Sequence, residues 1–242
     1  MTDEPVHVVE HRADDPAAPV IVLVHGVMDN SISFDGVVGE LVPEYTVLTY
    51  DRRGWGRSQH VGPAETLAEH AGDVLQAMGE RRATVVAHSY GGAVGLLAAS
   101  LRPDLVASLA VFEPTVAWAE WWPDPETIRE QAVHVQQHFR AGMEDRPKRS
   151  PEERARDQAL LAHELTLVRE PPLAFDDVAV PCLIGRSTLT TPWHVESTQR
   201  LAEIFASDLV VIEEAGHTAH RTQPKAFADF ARLAVALGQA GH

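Results

Sequence analysis

Ser89 stands in a sequence pattern that is typical of a catalytic nucleophile. It lies in the pentad Ala87-His88-Ser89-Tyr90-Gly91, which follows an apolar run and precedes a helical pattern. A strand that turns sharply into a helix needs small residues two positions before and after the serine, and the turn exposes the hydroxyl. The pentad alone arises by chance in many chains, but this context favours a nucleophile over a serine that only shapes the turn.

Two histidines near the end of the chain compete for the role of general base. His217 and His220 lie in the stretch EEAGHTAH, between the last apolar run and the last helical pattern. A histidine that follows a late strand can reach back across the ends of the sheet, and the order serine then histidine suits a hydroxyl nucleophile. We predict that His217 is the base and that His220 is structural.

An oxyanion hole is predicted where the run VIVLVHGV ends. Gly26 allows a close approach of the backbone, and the N–H of Val27 can act as one oxyanion donor. The N–H of Tyr90, at the start of the helix after the serine, is the expected second donor. His25 is expected to brace this loop without transferring protons, and Asp51 is expected to form a structural ion pair with the arginines of DRRGWGRS.

The spacing of apolar runs predicts the elements that must position these residues. The predicted strands are Val6–Glu10, Val20–Val24, Thr46–Tyr50, Thr84–Ala87, Leu109–Phe112, Val180–Ile184 and Leu209–Ile212. The predicted helices are Leu67–Met78, Tyr90–Ser100, Val195–Phe205 and Ala226–Leu237. Short strands that alternate with helices indicate an α/β fold with a mostly parallel, doubly wound sheet covered on both faces.

One segment interrupts this alternation. Residues 115–177 contain no convincing strand and are rich in charge, proline and tryptophan, with helical patterns near Ile128–Phe139 and Glu152–Val168. We predict a small helical cap there, inserted into a core formed by residues 1–114 and 178–242. Its tryptophans belong either to the core of the cap or to the lining of a substrate pocket, and they are Trp118, Trp121 and Trp122.

Four stretches of the chain together resemble the motifs of the α/β-hydrolase superfamily, and they are HGV, DRRGWGRS, AHSYGG and EEAGHTAH. The resemblance extends over nearly the whole chain and is looser in residues 115–177. It implies a sheet of the eight-stranded type with a helical cap. It is specific for the fold and much less so for a substrate.

The carboxylate that should orient the base is missing from its usual place. In the superfamily it normally follows the next-to-last strand, shortly after a glycine, and here that position holds Thr188. No carboxylate lies between Asp177 and Glu196. Glu113 stands instead at the end of the strand after the nucleophile helix, where strand ends border the site.

The placement of Glu113 is similar to that in haloalkane dehalogenases, which carry a glutamate at this strand end. Those enzymes use an aspartate nucleophile, and this chain has Ser89, so dehalogenation and epoxide hydrolysis are not expected. The alternative is that Glu113 only braces the start of the cap. We predict a triad of Ser89, His217 and Glu113.

The predicted function is cofactor-independent hydrolysis of a carboxylic ester or a related acyl substrate. A lactone, a thioester or a C–C bond beside a ketone would suit the same triad, and tryptophans in the pocket would favour an apolar or aromatic small molecule. Two alternatives stay open, a ligand-binding protein without turnover and a cofactor-free perhydrolase. No metal is expected, because His134 and His138 are four residues apart but lack the glutamate of a zinc-peptidase motif.

Charge and composition exclude other classes of partner. The chain of 242 residues has 20 Lys and Arg against 35 Asp and Glu, a formal net charge of −15. Such a balance disfavours nucleic acid and anionic membranes. Cys182 is the only cysteine, so no internal disulfide can form. The acidic N-terminus and the lack of a long apolar run predict a cytoplasmic location, and a homodimer stays open.

Overall fold

The computed structural model describes residues 5–130, 149–169 and 173–240. A seven-stranded sheet is formed by β1 Val8–His11, β2 Val20–Val24, β3 Thr46–Tyr50, β4 Ala83–His88, β5 Val106–Phe112, β6 Cys182–Leu189 and β7 Leu209–Gly216. The strand order is β1-β3-β2-β4-β5-β6-β7, and every neighbouring pair is parallel except β1 with β3. The predicted α/β fold is confirmed, with seven strands in the described residues where the resemblance implies eight.

Seven α-helices with both ends in the described ranges accompany the sheet, and residues 125–130 begin another. They are α1 Asp35–Leu41, α2 Leu67–Met78, α3 Tyr90–Leu101, α4 Pro151–Leu167, α5 Pro192–Ile204, α6 Ala219–Thr222 and α7 Pro224–Ala240. Helix α1 was not expected, because a helix of this length offers too few turns for an apolar periodicity. Most of the pattern predicted near Ile128–Phe139 lies outside the described residues, and so do His134 and His138.

The helices cover both faces of the sheet. Along β2, Ile21 and Leu23 pack in one buried cluster with α1 and α7, whereas Val22 and Val24 pack in a second cluster with α2 and α3. Alternate residues of a strand point to opposite faces, so a continuously apolar strand must be buried on both sides. This arrangement brings the carboxyl ends of β2, β4 and β5 to one edge of the sheet, where the candidate residues lie.

Strand β6 is longer than predicted. It was expected to end at Ile184 but continues to Leu189 and pairs with β7 along this extension. The sequence GRSTL hides the extension, because it lacks the apolar alternation by which a strand is recognised. Thr188 therefore lies in a strand, where its exposed side chain accepts a hydrogen bond from the N–H of Glu214 at 2.9 Å.

Helix α4 is the main described part of the predicted cap segment. Ser150 begins it with a capping box, accepting from the N–H of Glu153 while the Glu153 carboxylate accepts from the N–H of Ser150. Most of the helix is exposed, and its buried positions are Asp157, Leu160 and Glu164. A cap that encloses the site stays a prediction. No helix in the described ranges is long and apolar enough to cross a membrane.

Candidate active site

Ser89 lies in a strained turn between β4 and α3. Its φ of 55° and ψ of −124° fall in a region that non-glycine residues adopt only where the surrounding structure enforces it. A Cβ at Gly91 would lie 2.5 Å from the carbonyl oxygen of Val24, so only glycine fits two residues after the serine. The N–H of Ser89 donates to the carbonyl of Phe112 at 3.0 Å, which ties the turn to the end of β5.

Glu113 directly follows β5, and its carboxylate reaches the predicted base. Its Oε2 lies 2.6 Å from Nδ1 of His217, and the Glu113 side chain is fully buried. The residue has a φ of 45°, another left-handed value for a non-glycine residue. Strained residues often accumulate at functional sites, and the turn at Ser89 and the strand end at Glu113 both show this strain.

The surroundings of Glu113 keep it ionised. Burial by itself would raise the pKa of Glu113, but the hydrogen bond with His217 and the nearby imidazoles of His194 and His217 hold that pKa well below its usual range. The other carboxylate oxygen, Oε1, accepts from the N–H of Ser187 at 2.8 Å and from its hydroxyl. A carboxylate can only accept, so Nδ1 of His217 donates. In neutral His217 the lone pair is then on Nε2, the nitrogen that a general base uses.

Sequence reasoning missed two neighbours of this pair. Ser187 was hidden inside the unexpected extension of β6, and His194 lies in the first turn of α5. The His194 ring stacks on His217 with centroids 4.9 Å apart and planes 14° from parallel, and its Nδ1 is 3.8 Å from Oε2 of Glu113. Burial lowers the pKa of His194 to about 3, although the Glu113 charge opposes this shift. The only available signal was a polar residue, Ser187, directly before the position of the missing acid.

His88 connects the loop of His217 to the turn of Ser89. Its Nε2 donates to the main-chain carbonyl of His217 at 2.7 Å, and the rings of His88 and His217 lie 4.6 Å apart. His88 immediately precedes Ser89, so the base loop is bonded to the residue beside the nucleophile. This bond spans 129 residues of sequence and could not be inferred from either motif alone.

His220 belongs to a separate network. Its Nε2 lies 3.3 Å from Oδ2 of Asp29, whose other oxygen accepts from Arg221. The His220 side chain is fully buried, and its ring lies 4.9 Å from that of Phe34. Glu113 thus pairs with His217 while His220 is held by Asp29, an arrangement that supports the assignment made from the sequence.

The predicted oxyanion loop packs directly against Ser89. A Cβ at Gly26 would lie 3.0 Å from Cβ and 3.4 Å from Oγ of Ser89, so the loop approaches the nucleophile closely. The Nε2 of His25 accepts from the N–H of Arg52 at 2.9 Å, and therefore its Nδ1 carries the proton and donates to the Gly26 carbonyl at 2.8 Å. Burial lowers the pKa of His25 to about 4. His25 therefore braces the loop as a neutral ring.

Asp51 braces the adjoining loop as predicted, but of the three arginines of DRRGWGRS only Arg57 pairs with it, because Arg52 pairs with Glu164 and Arg53 with Asp73. Its carboxylate accepts from the N–H of Ser31 at 2.7 Å and from the N–H of Arg57 at 2.8 Å, and it forms an ion pair with the Arg57 side chain at 3.3 Å. A Cβ at Gly56 would lie 2.5 Å from Oδ2 of Asp51. The glycine-rich sequence after β3 is thus explained by a carboxylate that occupies the turn.

The three tryptophans divide between two places. Trp118 and Trp121 stack on Phe175, with ring centroids 5.7 and 5.6 Å apart. Trp122 instead meets the ring of His194 edge to face at 5.9 Å, which brings it next to the Glu113–His217 pair. All three are half-buried. Contact with substrate stays a prediction for each, and the position of Trp122 fits that role best.

Within the described ranges, two groups of buried residues have atoms that could hold a cation. Each brings three ligand atoms within 4.8 Å of one another, and the groups are Asp29 with His88 and His220, and Glu113 with His194 and His217. In both groups a carboxylate is already hydrogen-bonded to an imidazole. A metal ion would have to displace that hydrogen bond, and in the second group it would occupy the nitrogen through which Glu113 orients His217.

Comparison with known proteins agrees with this fold. The model of the alpha/beta hydrolase family matches residues 21–230. RutD of Stutzerimonas stutzeri (strain A1501), whose name proposes carbamate hydrolysis, is 30% identical over 92% of this chain and 93% of its own.

Two solved structures share the fold at low identity. A lipase-esterase related protein from Clostridium acetobutylicum ATCC 824 superposes with a TM-score of 0.72 at 15% identity, over 96% of this chain and 100% of its own. An enol-lactonase from Burkholderia xenovorans LB400 has a TM-score of 0.66 at 19% identity, over 96% of each chain. With the family model matched over most of its length, the chain belongs to the alpha/beta hydrolase family.

Proposed function

We propose that this protein is a cofactor-independent serine hydrolase with Ser89 as nucleophile, His217 as general base and Glu113 as the acid. The observation that carries the proposal is the 2.6 Å contact between Oε2 of Glu113 and Nδ1 of His217, made by a buried, ionised carboxylate. The family and its hydrolase relatives support the reaction class. The strained turn at Ser89 and the close approach of Gly26 support the choice of nucleophile.

In the proposed mechanism, Oγ of Ser89 attacks the substrate carbonyl while Nε2 of His217 takes the hydroxyl proton. Glu113 stabilises the imidazolium that forms. The N–H groups of Val27 and Tyr90 bind the oxyanion of the tetrahedral intermediate, each contributing about 3 kcal/mol. His217 then gives the proton to the leaving group, which departs and leaves an acyl-enzyme. Water activated by His217 hydrolyses the ester and regenerates Ser89.

The proposed substrates are carboxylic esters and related acyl compounds, including lactones, thioesters and C–C bonds beside a ketone. The name of the RutD relative adds carbamates to this group. A half-buried Trp122 next to His194 would give the acyl pocket an aromatic wall, which favours an apolar or aromatic small molecule. A perhydrolase reaction would use the same three residues, with hydrogen peroxide replacing water in the second half of the cycle.

A fluorophosphonate probe tests the nucleophile. We expect stoichiometric phosphonylation of Ser89, with loss of fluoride, and no labelling of folded Ser89→Ala protein. Labelling of wild type at another residue, or none at all, would refute the proposed mechanism and leave a binding protein on this scaffold.

A matched substrate panel then defines the acyl group. p-Nitrophenyl esters of increasing chain length, together with a p-nitrophenyl carbamate, would be compared by kcat/KM, with Ser89→Ala as the control. An ester preference that rises with chain length supports the apolar pocket, and a carbamate preference supports the activity that the relative's name proposes. Addition of acetate and peroxide tests the perhydrolase reaction.

A further inference from the structure

The guanidinium of Arg52 is fully buried and lies between the predicted oxyanion loop and helix α4. Its Nε donates to the carbonyl of His25 at 3.0 Å, and its Nη2 donates to the carbonyl of Gly26 at 2.9 Å. On its other side it forms a two-point ion pair with Glu164 of α4. Arg52 therefore connects Glu164, a residue of the predicted cap segment, to the oxyanion loop.

The bond to the Gly26 carbonyl bears directly on the oxyanion donor. That carbonyl and the N–H of Val27 belong to one peptide group, and the described residues contain no cis peptide bond. In a planar trans peptide the C=O and N–H point in opposite directions. Because Arg52 and His25 both donate to the Gly26 oxygen, they fix the direction of the Val27 N–H. A charged donor on the oxygen also polarises the peptide and strengthens its N–H as a donor.

Glu164 is what holds Arg52 in this position. Its Oε1 also accepts from Nε1 of Trp55 at 2.9 Å and lies 3.2 Å from Nε2 of His70, so the carboxylate is surrounded by donors. Burial alone would raise the pKa of Glu164, but the charge of Arg52 and the bond from His70 lower it to about 2. A buried guanidinium without this partner would be an uncompensated charge.

Helix α4 docks on the core through few buried side chains. Leu160 and Glu164, four residues apart and hence on one helix face, are two of the three that are buried. Leu160 packs against Gly54, where a Cβ would lie 2.9 Å from its Cδ2, and His163 donates to the carbonyl of Ala64 at 2.7 Å. Beside this narrow apolar contact, a fully buried two-point ion pair joins Glu164 of α4 to Arg52 of the core.

We propose that Glu164 is a positioning residue that couples the docking of α4 to the orientation of the Val27 N–H through Arg52. This inference rests on the proposed function, since it assigns a support to the proposed oxyanion hole. When α4 is docked, the Gly26–Val27 peptide is held with its N–H toward the nucleophile. Loss of the ion pair loosens that peptide and weakens stabilisation of the transition state, while substrate binding changes little.

The test is Glu164→Gln, which keeps the shape of the side chain and removes its charge. Removing a whole oxyanion donor costs about 10²–10³ in kcat, so a loosened donor should cost about ten- to a hundredfold. We expect kcat to fall by that factor with KM nearly unchanged, and the affinity for a trifluoromethyl ketone inhibitor, which mimics the tetrahedral intermediate, to fall in parallel. A structural role alone would lower the amount of folded enzyme and leave KM, inhibitor affinity and kcat per active site unchanged.

The neighbouring arginine offers a matched control. Arg53 forms a two-point ion pair with Asp73 of α2, at 2.7 Å for both bonds, and neither residue is bonded to the oxyanion loop in the described structure. Asp73→Asn should leave kcat and inhibitor affinity unchanged. If it lowers both as much as Glu164→Gln does, or if Glu164→Gln lowers neither, the inference is overturned.

A readout without activity separates this inference from the proposed function. The amide resonance of Val27 should shift in Glu164→Gln and stay in place in Asp73→Asn, whether or not the enzyme turns over an ester. If the wild type is inactive and does not react with the fluorophosphonate, but Glu164→Gln shifts the Val27 resonance, the serine hydrolase is refuted and the coupling is retained. If the wild type is active and Glu164→Gln leaves the Val27 resonance in place, the coupling is refuted and the serine hydrolase is retained. If Glu164→Gln does not fold, Glu164→Asp replaces it, because its side chain keeps the charge but is one methylene too short to reach the Arg52 guanidinium in the same way.

Discussion

Two buried histidine–carboxylate pairs lie side by side in this molecule, and we propose proton transfer for only one of them. His217 pairs with Glu113 at 2.6 Å and His220 pairs with Asp29 at 3.3 Å. The ring of His88 lies between them, 4.6 Å from His217 and 4.4 Å from His220. The two histidines are three residues apart in sequence and share a motif, so the difference between the pairs must come from their surroundings.

The pairs differ in the nitrogen that faces the carboxylate. Glu113 contacts Nδ1 of His217 and leaves Nε2 for the proposed proton transfer, whereas Asp29 contacts Nε2 of His220. The carboxylates also differ in their other partners, since Asp29 forms an ion pair with the cationic Arg221 while Glu113 accepts from the neutral Ser187. Burial lowers the pKa of His220 even with Asp29 beside it. A histidine beside a buried carboxylate is therefore insufficient evidence for a base; the orientation of the ring decides.

The largest expected effect comes from removing each histidine in turn. His217→Gln should lower kcat by about 10⁶-fold, because loss of the base in a serine hydrolase costs nearly as much as loss of the whole triad. His220→Gln should change kcat by less than about tenfold, because we expect its ring to transfer no proton. Steady-state kinetics on a p-nitrophenyl ester measures both variants. Equal losses in the two variants would remove the distinction drawn between the pairs.

The stability cost of His220→Gln provides the control for that comparison. The change leaves Asp29 with one hydrogen bond fewer in a buried position, which should cost about 1–3 kcal/mol in the free energy of unfolding. Urea denaturation measures this value. A variant as stable as the wild type would show that the Asp29 pair is not a structural element.

The next effect is a pH dependence of stability that arises from His194, the ring stacked on His217. Its pKa is about 3 in the folded protein, chiefly because burial disfavours the charged form, against 6.5 when unfolded. Between these values the unfolded chain binds the extra proton, so the free energy of unfolding rises with pH, by about 1.4 kcal/mol per unit for this one group. The contribution of His194 to the free energy of unfolding is complete above pH 6.5 and is lost as the pH falls toward 3.

His194→Gln tests this dependence. When urea denaturation is measured between pH 6.5 and 4.5, the free energy of unfolding of the variant should rise less steeply with pH, by about the contribution of one proton. The other buried histidines contribute equally to this slope in both proteins. Parallel curves for wild type and variant would mean that His194 is already charged in the folded state.

The smallest effect is expected at the position where an acid was first sought. Thr188→Asp should change kcat by no more than about twofold, because the side chain is exposed and directed toward the N–H of Glu214 on β7. The same substitution in a Glu113→Gln background should restore no activity. Measurable rescue would show that β6 can bring an acid at position 188 to His217.

What could be predicted from the sequence depended on how local the signal was. The turn at Ser89 and the loop at Gly26 are specified by adjacent residues, so their positions were predicted correctly. Glu113 was inferred from the absence of a carboxylate near Thr188 together with a family resemblance. Its bond to Ser187 and the bond of Arg52 to Glu164 join residues 74 and 112 positions apart. Such contacts depend on how strands and helices pack in space and leave no pattern along the chain.

The strand and helix boundaries show the same limit. Helix α2 was predicted with its observed ends, since its apolar positions repeat with a helical period between Leu67 and Met78. The end of β6 was misplaced because GRSTL is polar, and its pairing with β7 is a tertiary contact. Ser187, one of the two site residues that sequence reasoning missed, lies within that misplaced end.

The central claim is that Glu113 is the acid of the triad, and kcat of Glu113→Gln tests it most directly. The glutamine keeps the length of the side chain and removes the charge that stabilises the imidazolium of His217. With Ser89 in place and folding verified, we predict a fall in kcat of about 10⁴-fold, whereas Asp29→Asn stays near wild type. A Glu113→Gln enzyme that retains activity near the wild-type level would contradict the claim.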